Sequence, residues 1–146
     1  MEQVKKVIQT SERSLISQII SEMWYVLLVM VYYYFLGIVF SLSKDTKGTK
    51  TPIVLVTGFW GRNLYWRRFK KKLVEAGYPV YPVNLRFQVG DINGKSIKLE
   101  KYLEENNIQE CYLIGHSMGG WISLGLSEKA RKRVKKLFTL STSYQG

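Results

Sequence analysis

The sequence predicts an α/β domain, a parallel sheet with flanking helices, preceded by an N-terminal transmembrane helix. Three observations carry that reading. Short β-branched apolar runs alternate with amphipathic segments from Ile53 onward, the order that builds a parallel sheet with helices packed across its faces. A serine flanked by glycines, Gly115-His116-Ser117-Met118-Gly119, falls between one such run and one such segment. Upstream, the 19 residues from Trp24 to Leu42, "WYVLLVMVYYYFLGIVFSL", carry no charge.

With 146 residues there is room for one core and little else. A hydrophobic fraction of 46% and an aromatic fraction of 14% exclude general disorder, which combines low apolarity with high charge. The lone cysteine, Cys111, has no intramolecular disulfide partner. It lies in an apolar run and reads as a small buried residue.

The segments then follow in order. Residues 1–23 mix polar and apolar positions at partly helical spacing and read as a juxtamembrane segment. As a helix, residues 24–42 would reach roughly 28 Å, close to a bilayer's hydrocarbon thickness. A cleaved signal peptide is the alternative, although the run is longer than such segments usually are and the leader is not basic overall. Lys44, Lys47 and Lys50 follow the run closely, whereas the nearest basic residue before it is Arg13. That asymmetry predicts a single-pass anchor with a cytoplasmic C-terminal domain. Residues 43–51, "SKDTKGTKT", are polar and read as a linker.

The domain occupies residues 52–146. "PIVLVTG" reads as a strand, Ile53 to Thr57, buried on both faces and ended by Gly58. Tyr65, Phe69 and Leu73 recur at helical spacing up to a glycine stop at Gly77. "YPVYPVNL" is a second strand that its prolines push toward an edge. A second helix opens at Ser96 and runs to about Asn106. "CYLIG" is a third strand, "GGWISLGLSEKAR" a third helix and "KLFTLS" a fourth strand.

The net charge of +11 lies entirely in residues 44–146, which hold 19 basic and 8 acidic side chains. Two clusters dominate, "RNLYWRRFKKK" (Arg62 to Lys72) and "KARKRVKK" (Lys129 to Lys136). Solvated helix faces are the ordinary account. Membrane lipid is the functional alternative, since each basic residue near an anionic surface is worth roughly 1 kcal/mol. No nucleic acid is expected, because no recognised nucleic-acid module accompanies the charge.

The serine motif matches G-x-S-x-G in its required context, with a strand before it and a helix after it. A sharp strand-to-helix turn holds the Ser117 hydroxyl out, and small residues at Gly115, Gly119 and Gly120 let neighbouring backbone pass close by. The helix that follows aims unpaired N–H groups at developing negative charge.

From about Pro52 to Gly146 the sequence resembles the α/β-hydrolase superfamily and, within it, bacterial lipases and esterases. "PIVLVTGFWG" is similar to the family's strand and oxyanion loop, "AGYPVYPVNL" to its next strand, "GHSMGGW" to its elbow and "LSTSYQG" to the segment after the following strand. The resemblance implies a partial α/β-hydrolase fold with Ser117 as nucleophile, attacking ester or acyl-lipid substrates through an acyl-enzyme. It implies an oxyanion hole from the backbone N–H groups of Phe59 and Met118, on the loop opened by Gly58, and neither cofactor nor metal.

In this fold the triad order is nucleophile, acid, base. After Ser117 the chain has one carboxylate, Glu128, and no histidine; His116 is the sole histidine. Placed just before the serine on a sharp turn, His116 should point away from the hydroxyl. The expectation is therefore a truncated hydrolase, weak or inactive alone, completed by missing C-terminal residues or by a second chain. The alternatives are a non-catalytic membrane-anchored interaction or lipid-binding module, and an acyltransferase fragment. Phe59, Trp60, Tyr65 and Trp66 either line an acyl pocket or pack between helix and sheet.

Overall fold

A computed structural model describes residues 2–59, 62–85 and 91–144. The elements are α1 (Glu2–Val39), β1 (Ile53–Val56), a 3-10 turn (Asn63–Trp66), α2 (Arg67–Glu75), β2 (Val80–Pro82), α3 (Ile92–Glu105), β3 (Cys111–His116), α4 (Met118–Leu124), α5 (Glu128–Arg131) and β4 (Val134–Leu140).

The four strands form one parallel sheet in the order β2-β1-β3-β4. β1 is buried along its whole length, which is why its sequence is continuously apolar rather than alternating. Its side chains feed two cores. Val54 and Val56 join Leu99, Leu103, Leu113 and Ile122 under α3 and α4. Ile53 and Leu55 join Trp66, Val80 and Ile114 on the α2 face. Each fully buried aliphatic side chain contributes about 1.5–3 kcal/mol relative to exposure. β2 is an edge strand, as its prolines predict. Pro82 pairs with Leu55, and the bonding continues from the Val83 N–H to the Leu55 carbonyl (2.9 Å).

α1 runs without a break across the expected boundary at residue 23 and ends at Val39 rather than Leu42. The reason is polar. Buried Asn63 accepts from the Leu42 N–H (3.0 Å) and donates to the Leu42 carbonyl (3.0 Å) and the Ser41 hydroxyl (3.1 Å), turning the chain off the helix. Within α1, Leu15–Tyr32 is the stretch long and apolar enough to cross a membrane. The same features fit a signal sequence. Most of its apolar side chains, Trp24 and Leu28 among them, are exposed. The linker does more than tether: Asp45 and Val80 exchange backbone hydrogen bonds (2.9 and 2.8 Å) in an antiparallel bridge along the β2 edge.

Two further helical boundaries differ from expectation. α3 starts at Ile92, not Ser96, because the Asp91 carboxylate caps it, accepting from Asn93 and Gly94 N–H groups at 2.9 Å each. Ser96 instead lies inside α3, its hydroxyl 2.8 Å from the Ile122 carbonyl of α4. The single helix expected after the elbow is two, α4 and α5. The chain breaks at Gly125, buries Leu126, and restarts with Ser127 as an N-cap.

Candidate functional site

The site is built where β3 meets α4. Ser117 has φ 52° and ψ −125°, a region that L-residues rarely occupy and that typically costs 1–3 kcal/mol. The surrounding backbone holds it there. The Ser117 N–H donates to the Leu140 carbonyl of β4 (2.8 Å), and its carbonyl accepts from the Gly120 N–H (3.0 Å) and the Thr142 hydroxyl (2.9 Å). No side-chain capping bond ties the Ser117 hydroxyl to α4.

Close backbone approach explains the glycines. A Cβ on Gly119 would run into the Val56 carbonyl oxygen and come within 2.9 Å of the Thr57 carbonyl, so α4 lies directly on the end of β1. A Cβ on Gly115 would meet Gly119 and Gly120 backbone at 2.7 Å, and one on Gly120 would strike Thr142. Gly58 is pressed against the elbow from β1: a Cβ there would sit 2.6 Å from the Ser117 Cβ and 3.2 Å from the Met118 nitrogen. Met118 opens α4, so its N–H has no intrahelical acceptor. Phe59 follows Gly58 with an exposed side chain. Trp60 lies outside the described residues.

His116 and Ser117 are adjacent in sequence, but the His116 ring is engaged on the α2 face of the sheet. Its centroid lies 4.9 Å from that of Tyr65 and 6.3 Å from that of Trp66, which it meets edge-on. Burial pushes its pKa below the ordinary 6.5. Trp66 is buried in the core and Tyr65 is exposed, so the expected aromatic group divides between packing and surface.

A cleft of about 930 Å³ is lined by Thr57, Gly58 and His116 at the strand ends and by Val29, Met30, Tyr32 and Leu36 of α1; Ser117 is not among its lining residues. No sequence signal joins segments nearly thirty residues apart, and only the Asn63 contacts to Ser41 and Leu42 hint at how α1 is brought there.

Comparison with known proteins gives a consistent picture. The family model described as alpha/beta hydrolase fold matches residues 51–145. A putative esterase/lipase of Mycoplasma pneumoniae is 31% identical over 102 residues, covering 65% of this chain and 38% of that protein. The acetyltransferase component of an acetoin-cleaving system from Pseudomonas putida is 29% identical over 103 residues, covering 66% of this chain and 28% of that one. Among solved structures, mature Bacillus licheniformis lipase BlEst2 superposes with a TM-score of 0.62 at 24% identity, over 70% of this chain and 44% of that chain, a likeness of fold. A carboxylesterase of the archaeon Nitrososphaera gargenis gives 0.59 at 25% identity, over 69% and 40%. The chain thus spans between 28% and 41% of the length of the curated relatives it matches.

Proposed function

Because the chain belongs to the α/β-hydrolase fold family, we propose that it carries the nucleophile half of an esterase- or lipase-type site, with Ser117 as the attacking residue. The observation behind this reading is the positive φ of Ser117 at the strand-to-helix turn, a strained conformation that the Leu140, Gly120 and Thr142 contacts sustain. In the reaction the Ser117 Oγ adds to an ester carbonyl carbon. Negative charge grows on the carbonyl oxygen beside the Met118 and Phe59 N–H groups, and the alcohol departs with a proton, leaving an acyl-serine for water to cleave. Loss of one such oxyanion donor typically costs about 10²–10³ in turnover.

The weak point is the proton. Within these 146 residues no histidine follows Ser117, and an unassisted serine is a poor nucleophile at neutral pH. Oxyanion stabilisation and binding alone leave about 10³–10⁴ over water, so this chain by itself is a slow acceptor of acyl groups. Esterase- and lipase-like relatives support an ester substrate. The exposed apolar surface of α1 supports a membrane anchor that keeps the domain at a lipid surface.

The test is prolonged incubation of the 146-residue chain with a fluorophosphonate, followed by peptide mapping. Slow modification confined to Ser117 and lost in Ser117→Ala is expected. Modification that persists in Ser117→Ala removes the nucleophile assignment, and rapid labelling removes the claim of weakness. A lipid-binding module without turnover is the second reading, favoured by the stacking of the sole histidine on Tyr65. It predicts no modification at Ser117.

A further inference from the structure

We propose that the cleft between α1 and the elbow binds an anionic membrane lipid, with its acyl chain along α1 and its charged headgroup on Arg62, Arg67 and Arg68. All three arginines line the same cleft as Gly58. Arg67 and Arg68 are exposed, and Arg62 is half-buried. The volume of about 930 Å³ suits a ligand of several hundred daltons.

The segments that line the cleft differ in chemistry. Val29, Met30 and Leu36 make one wall apolar, which gives nothing to a small inorganic anion and a good surface to a hydrocarbon chain. Arg62, Arg67 and Arg68 bring three guanidinium groups to the lining, which holds no carboxylate among the described residues. Arg67 and Arg68 form no ion pair with any described carboxylate, and the first turn of α2 that bears them has no acidic residue. The one acidic residue of α2, Glu75, is at the far end and pairs with Lys71 (3.8 Å). Guanidinium groups recognise phosphate and carboxylate oxygens through paired N–H donors, so an anionic head is matched and a cationic one repelled.

The bilayer is the source of this ligand. The apolar Leu15–Tyr32 window overlaps and directly precedes the part of α1 that lines the cleft. A membrane that holds the window therefore meets the cleft at its surface, where the arginines face headgroups. As a substrate site the cleft rests on the reading of Ser117 as nucleophile; as a binding site it stands on its own walls.

The experiment uses the full chain carrying Ser117→Ala, reconstituted in phosphatidylcholine discs doped with phosphatidylglycerol that bears a photoreactive diazirine on one acyl chain. Crosslinks on the Val29–Leu36 stretch or on Leu64 and Tyr65 are expected. They should fall about tenfold or more in Arg67→Gln/Arg68→Gln, given roughly 1 kcal/mol per basic residue, and be largely retained in Arg67→Lys/Arg68→Lys. Equal crosslinking by diazirine phosphatidylcholine, or no fall in the double glutamine variant, overturns the assignment. Competition by inorganic phosphate at matching concentration transfers the arginines to a free anion and likewise overturns it. Since the readout is binding by a chain without its serine hydroxyl, it is independent of whether the parent chain reacts with a fluorophosphonate.

Discussion

The two sides of Ser117 are built in opposite ways. Toward α4 and β1 there is no spare volume: Gly115, Gly119, Gly120 and Gly58 each stand where a single Cβ would collide with main chain or with Thr142. Toward α1 there is a cleft of about 930 Å³ bounded by side chains from distant segments. The tight side fixes a conformation that the serine would not adopt alone, whereas the cleft is walled by Gly58 and His116, which flank the elbow, and not by Ser117 itself. Rigidity and open volume are thus assigned to different parts of the chain, and substitutions on the two sides should behave differently.

The largest effect is expected from Gly119→Ala. Its new Cβ meets carbonyl oxygens of Val56 and Thr57, backbone atoms locked into a buried strand that has no room to yield. Overpacking of that kind costs about 3 kcal/mol at the upper end of its usual range, visible as a large drop in Tm of the detergent-solubilised chain. Leu64→Ala, at a half-buried position lining the cleft, should cost well under the roughly 2–5 kcal/mol of a fully buried leucine. Equal losses for the two variants would break the contrast between a tight side and an open one.

Next in size, and opposite in sign, is Ser117→Gly. Glycine occupies φ 52°, ψ −125° without a Cβ penalty, so this variant should be more stable than the parent by about 1–2 kcal/mol while losing all reaction at that position. Ser117→Ala keeps the Cβ and should gain no such stability. A glycine variant that melts at or below the parent's temperature would mean that the tight side stores no strain.

The sequence made the tight side legible because its requirements are local. A strand, a glycine-flanked serine and a helix occur within a few residues, and each glycine reports a collision avoided by a neighbour near in sequence or in the adjacent strand. β1 and β3 were readable for a related reason, since burial on both faces leaves no choice but continuous apolar residues. The α3 start is not legible at Ser96, whose hydroxyl bonds the Ile92 and Ile122 carbonyls from inside the helix. Asp91 is the better cap, and Gly94 in the first turn, where a Cβ would crowd its carboxylate at 2.9 Å, disguised the helix as loop. The α4–α5 break depends on burying Leu126, which periodicity alone does not reveal. The cleft was invisible for a deeper reason. Asn63, hidden inside a basic run that reads as a solvated helix face, binds the backbone at Leu42 just past α1, and the 3-10 turn that carries it packs against α1.

The smallest expected effect tests the residue that touches both sides, His116, which ends β3 and also lines the cleft. Burial disfavours its charged form and lowers its pKa below 6.5, so the unfolded chain binds a proton more readily than the folded one as pH falls past that value. The sign follows: the contribution to stability is fully present above about 6.5, declines as pH drops toward the lower folded value, and levels off beneath it. In melts between about pH 8 and pH 5 the parent should therefore lose stability on the acid side more steeply than His116→Asn, with the two curves parallel at the alkaline end. Identical slopes would place the imidazole in contact with water and not against Tyr65 and Trp66. A slope that disappears when the cleft is filled by an anionic lipid would instead tie the histidine to the open side, because a nearby negative charge stabilises the imidazolium and cancels the cost of burying it.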